Sequence, residues 1–213
     1  MTNRSTQGLL AGAAVAVALA GCAGSTAPAP SDAQTRAKAL ELMKAGFSEK
    51  GIARLDRLNQ DETQALCTQY ATGTLPKDVA EKIERVNMAS IKPPSDGKYL
   101  GDWKRGEQVA QRGTGFQYSD TKETPVGGNC YACHQLTKAE ISYGTIGPSL
   151  YNFAKIRGYG PEIQKYAWGK VWNTQAYSAC SFMPRFGHAG ILSEQQIKDV
   201  VALLMDPESP VNQ

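Results

Sequence analysis

The chain has 213 residues, 41% of them hydrophobic and 20% charged, with a formal net charge of +3. That is an ordinary soluble balance, with room for one domain plus an extension or for two small domains. The low net charge and the mixing of lysines and arginines with acids argue against a phosphate-binding face, so no nucleic-acid partner is expected.

Arg4 is the lone positive charge of a polar start, and residues 9–20 are an unbroken run of Leu, Ala, Gly and Val. The run suits a signal-peptide core and is too short for an ordinary membrane span. It ends in Leu19-Ala20-Gly21-Cys22, which resembles the lipobox of bacterial lipoproteins. That resemblance implies cleavage before Cys22 and lipid on Cys22, with residues 1–21 as the leader and a membrane surface as a partner. Ala18-Leu19-Ala20 also offers ordinary cleavage before Gly21. Both readings predict export to the periplasm. Residues 22–34, rich in Ala, Ser, Thr, Gly and Pro, read as a flexible tether.

Residues 35–95 read as a helical extension. Leu40, Met43 and Phe47 recur at helical spacing, then Ile52, Leu55 and Leu58, then Val79, Ile83 and Val86 in a segment whose first turn suits Pro76. No chemical motif lies there. The composition of residues 93–97 is that of a linker, and a second domain is expected over 96–213. It opens with a helix around residues 102–112. It closes with one that Ser193 and Gln196 can cap and whose apolar face is Ile197, Val200, Val201 and Leu204. No strand alternation is present, so the fold class expected is all-α.

Cys130-Tyr131-Ala132-Cys133-His134 contains C-x-x-C-H, the attachment pattern of covalent haem c. Two thiols three residues apart lie on one turn of chain and reach the two vinyl groups, and the adjacent histidine reaches the iron. Zinc would need a second ligand pair, and only Cys67, Cys180 and His188 remain. A thioredoxin-like pair would need a βαβ context, which is absent.

Gly147-Pro148-Ser149-Leu150 resembles the segment that follows this motif in class I cytochromes c, where the proline carbonyl accepts a hydrogen bond from the proximal histidine. Met183, in a Pro/Gly loop before the last helix, stands where that family places its distal ligand. His188 is the rival. The expected cofactor is one haem c on Cys130 and Cys133, with His134 proximal and Met183 distal. Of the 5 cysteines, two take haem and Cys22 takes lipid. The remaining Cys67 and Cys180 are expected to form a disulfide in an oxidising compartment, two free buried thiols being the alternative.

Taken together, several segments of residues 98–205 resemble the sulfur-oxidation cytochrome family SoxX. They are Gly101-Asp102, Arg105-Gly106, Gly128 to His134, Gly144 to Leu150, Met183 to Gly187, Ile191-Leu192-Ser193 and Gln196 to Leu204. The extension and the lipobox depart from the shortest members. The resemblance implies a class I cytochrome c domain and a heterodimer with the larger cytochrome SoxA. That complex joins thiosulfate to a cysteine of the carrier SoxY, as an L-cysteine S-thiosulfotransferase, and a small redox protein accepts the electrons. This chain would be the electron-transfer subunit and would bind no substrate. A free-standing periplasmic electron shuttle is the alternative.

Overall fold

The computed structural model describes residues 32–213, and every element among them is helical, with no strand. The expected leader, Cys22 and most of the tether lie outside the described residues. The chain parts into two compact units, residues 1–41 and 42–213. Helix α1 (Asp32–Gly46) carries Leu40 and Met43, with Phe47 just past its end, and all three are exposed.

Ile52, Leu55 and Leu58 do not form the helix that their spacing predicts. Lys50 and Ala53 pair backbone to backbone around Gly51, whose φ is +57, and only a 3-10 turn, Leu55–Leu58, follows. The next helix, α2 (Glu62–Gln69), starts from a reciprocal cap. Asp61 accepts from the Gln64 N–H, and the Gln64 side chain accepts from the Asp61 N–H. Helix α3 (Lys77–Ala89) follows Pro76, which stands at its N-cap in extended backbone rather than inside its first turn. Ile83 is buried while Val86 is exposed.

Residues 93–97 lie against the C-terminal helix. Pro94 is buried, Ser95 donates to Glu194 from both N–H and hydroxyl, and Asp96 pairs with Lys198 at 2.7 Å. Helices α4 (Trp103–Gln111) and α7 (Glu194–Met205) form where the sequence places them, with Asp102 and the Ser193–Gln196 box as caps. They cross at Gly106, where a Cβ would collide with the Asp199 carbonyl, so the two backbones touch. Asp199, 2% exposed, ties the crossing together. It accepts from the Asp102 N–H (2.8 Å), from Arg105 Nε and Nη2 (2.9 and 3.0 Å) and from Gln195 (2.8 Å). Burial alone would raise its pKa, but these donors outweigh burial and hold the carboxyl below the usual range.

Two further helices carry no clear sequence signal, α5 (Phe153–Arg157) and α6 (Pro161–Trp172). Ala167, Trp168 and Val171 of α6 complete a core with Leu136, Phe153, Ile197, Val201 and Leu203. Each such large side chain contributes about 1.5–3 kcal/mol by leaving water. Trp168 stacks on Trp172 with ring centroids 5.5 Å apart and donates its indole N–H to the Lys92 carbonyl.

Candidate functional site

The C-terminal end of α4 sets the site. The Val109 and Arg112 carbonyls accept from the Gly128 and Asn129 N–H groups at 2.8 and 2.9 Å. Asn129 then adopts the left-handed region (φ 47), which asparagine tolerates, and turns the chain into the 3-10 segment Cys130–Ala132. The Cys130 carbonyl accepts from both Cys133 N–H and His134 N–H. One turn thus gathers Cys130, Cys133 and His134, and buried Tyr131 anchors it in the core. The Cys130 thiol lies with Leu192 and Phe186 around Gly128. Burial pushes its pKa up to about 12, so it stays protonated at neutral pH. Cys130 and Cys133 are not bonded to each other, whereas Cys67 and Cys180 are joined by a disulfide, as the cysteine count predicts.

A second segment of chain runs beside this turn. Gly144 N–H donates to the Tyr131 carbonyl, Gly147 N–H to that of Cys133, and Leu150 N–H to that of Gln135. The result places the Pro148 carbonyl 2.7 Å from His134 Nδ1. A carbonyl can only accept, so Nδ1 carries the proton and Nε2 keeps its lone pair for a metal. Gly147 presses against the imidazole face so closely that a Cβ there would overlap the ring. The ring is therefore fixed from two directions.

Met183 is partly buried and packs on the same core as Cys130. Phe186 beyond it is buried, and Gly187 sits on the Trp172 ring. His188 goes elsewhere. Its side chain lines a cleft of about 200 Å³ with Asp61, Leu66, Ile83, Val86 and Arg185. Burial, with Arg185 close by, holds its pKa below the ordinary histidine value, and Asp61 opposes the shift.

No group of three or more His, Cys, Asp or Glu among the described residues converges on a bare ion, so Cys130, Cys133 and His134 do not form a zinc donor set. Ile146 (76% exposed) and Phe182 (94%), beside the Pro148 and Met183 positions, offer apolar surface that a flat macrocycle can cover. Trp172 Nε1 is buried without an acceptor, a state that costs about 1–3 kcal/mol. A haem carboxylate is the kind of group that satisfies it. The residues fit. Trp172 carries no signal in the sequence beyond being one aromatic in an aromatic-rich stretch, and its relevance is visible only from its buried, unpaired nitrogen.

The fold and this motif define a c-type cytochrome, and residues 104–206 match the cytochrome c family. The chain is 38% identical over 186 residues to an uncharacterized lipoprotein of Aquifex aeolicus (strain VF5), a match spanning 84% of this chain and 83% of that one. It belongs to the same family as that lipoprotein, and its haem-motif half is a cytochrome c domain. Membership in the cytochrome c family implies covalently bound haem c. Among solved structures, SoxXA from P. pantotrophus matches at 26% identity over 56% of this chain and 90% of that chain, with a TM-score of 0.37. No helix among the described residues is long and apolar enough to cross a membrane.

Proposed function

We propose that this chain is an exported monohaem electron-transfer cytochrome. Cys130 and Cys133 hold the haem through thioethers, His134 is the proximal ligand and Met183 the distal one. The observation that carries the reading is the His134 Nδ1–Pro148 carbonyl hydrogen bond directly after two paired thiols, because it aims Nε2 as a ligand. When bound, haem supplies a one-electron ferric/ferrous couple. Cys130 and Cys133 would hold it through thioethers, each thiol giving its S–H to one vinyl group, an addition that needs no oxidant. The Pro148 carbonyl makes the His134 ring a better donor. The Met183 thioether, as the distal ligand, would favour the ferrous state and leave little access for oxygen or peroxide. Electron transfer then dominates over haem-based turnover.

The segments named in the sequence support a finer reading, that of a SoxX-type subunit paired with a SoxA-type cytochrome. In it, thiosulfate is joined to a SoxY-type cysteine on the partner, and this chain passes the electrons to a small redox acceptor. Among the described residues no thiol is left for sulfur chemistry, since Cys67 and Cys180 are bonded and Cys130 and Cys133 take haem in this reading. Residues 1–21 are the leader, 22–34 the tether carrying lipid on Cys22, 35–95 the extension and 96–213 the haem domain. Reconstitution tests this reading. The ferric chain alone should stay oxidised when thiosulfate is added, and should be reduced once a SoxA-type cytochrome and the carrier are present. Reduction by thiosulfate with no partner refutes the division of labour, and no binding to any second cytochrome favours the free shuttle.

A further inference from the structure

A set of polar attachments runs from helices α2 and α3 to the loop that carries Met183. Asn87 and Asn173 are 2% and 0% exposed, and a buried amide is costly unless paired. Asn87 Nδ2 donates to the Ile83 carbonyl (2.8 Å) and to Thr63 Oγ1 (2.9 Å). Its Oδ1 accepts from Asn173 Nδ2 at 2.8 Å, and Asn173 Oδ1 accepts from the Gln175 N–H at 3.2 Å. The main-chain groups at the two ends fix both amide orientations, because a carbonyl only accepts and an N–H only donates.

Gln175, itself buried, carries the link onward. Its Nε2 donates to the Ser181 carbonyl (2.8 Å), and its Oε1 accepts from the Cys180 N–H. Ser181 Oγ then accepts from the N–H of Met183 itself, at 3.2 Å. On the other side of the methionine, Arg185 pairs with Asp61, the N-cap of α2. The Arg185 side chain is 12% exposed and the Asp61 side chain 41%, so water screens the pair from the carboxylate side only. The Cys67–Cys180 disulfide adds a covalent tie from α2 to the same loop.

We propose that α2 and α3 form a clamp on the Met183 loop, with Asn87 and Asp61 as positioning residues that hold the thioether in place as distal ligand. The proposal rests on the reading of Met183 as that ligand. An added ligand such as imidazole must displace the thioether, and the loop must move for it to do so. A loop held by buried hydrogen bonds makes that displacement costly, and loosening the hold raises the apparent imidazole affinity by the same factor.

Imidazole titration of the ferric holoprotein tests the clamp. Asn87→Ala breaks the relay. Asp61→Asn keeps an oxygen to cap α2 but loses the charge pair. Glu62→Gln is the control, since Glu62 sits beside Asp61 and pairs only with exposed Lys82. Loss of the buried Asn87 amide should raise imidazole affinity about tenfold in Asn87→Ala, and loss of the Asp61–Arg185 charge pair, whose carboxylate is 41% exposed, should raise it about fivefold in Asp61→Asn. The weak near-infrared band of methionine-ligated ferric haem should fade with it, and Glu62→Gln should stay within about twofold of the parent. Should Asn87→Ala fail to fold, Asp61→Asn alone decides. Met183→Ala sets the reference. If the band survives Met183→Ala, the ligand assignment falls and the clamp with it. If the band is lost there but affinities in Asn87→Ala and Asp61→Asn match the parent, the clamp alone is overturned.

Discussion

Replacing Cys67 and Cys180 together by serine removes a bond between residues 113 apart in sequence. Closing so long a loop restricts the unfolded chain severely. The chain-entropy treatment, in which the restriction grows with the logarithm of loop length, gives about 4.8 kcal/mol at 25 °C. The native state should survive the change, because the Asn87–Asn173 and Asp61–Arg185 links still join the same elements. Losses measured for native disulfides run from about 2 to 5 kcal/mol, so the upper part of that range is expected. Urea unfolding of the holoprotein, followed by far-ultraviolet circular dichroism, measures it. With a slope of about 2 kcal/mol per molar urea, the midpoint should fall by about 2 M. A loss under about 1 kcal/mol would refute the entropic reasoning, and two thiols titrating in the unfolded, unreduced parent would refute the bond itself.

Asp199→Asn should destabilise the α4–α7 crossing by about 1–3 kcal/mol at neutral pH, because the buried carboxylate loses its charge-assisted bonds while Arg105, 55% exposed, regains water. The folded pKa of Asp199 is depressed, so its contribution is complete above the unfolded carboxyl value of about 3.9 and is lost as pH falls through the lower folded value. The stability gap between parent and variant should therefore close in acid, and a gap that stays constant from about pH 7 to pH 3 would contradict this. Gly147→Ala drives a Cβ into the His134 ring and should lower the yield of haem-staining protein. Gly73→Ala, whose Cβ meets nothing within 4 Å, should leave that yield unchanged, and equal yields from the two would show that the imidazole is not held as described.

The elements that were legible in the sequence are those whose signals are local. Ser193, Gln196 and the spacing of Ile197, Val200, Val201 and Leu204 mark α7 because cap and stripe lie within twelve residues. The turn at Cys130–Ala132 and its proline partner are legible for the same reason, one motif following the other closely. Helix α6 escapes because its buried residues, Ala167, Trp168, Gly169 and Val171, come almost as one block rather than at helical spacing, so no clear period shows. Helix α2 has no apolar stripe, and its one readable mark is the Asp61–Gln64 cap. Around Met183 the sequence supplies the ligand candidate but not its support. Asn87 meets Asn173 across 86 residues and Asp61 meets Arg185 across 124, and no local pattern encodes such pairs. The unpaired Trp172 nitrogen is equally silent until the core around it is assembled.

The most direct test of the account is intact-mass spectrometry of the exported holoprotein after acid–acetone treatment, alongside haem staining of the denatured chain. The mass of one haem should stay on the polypeptide, and both mass and stain should vanish when Cys130 and Cys133 are together replaced by alanine. Haem extracted from the parent by acid–acetone, or haem mass retained by the double variant, would contradict it.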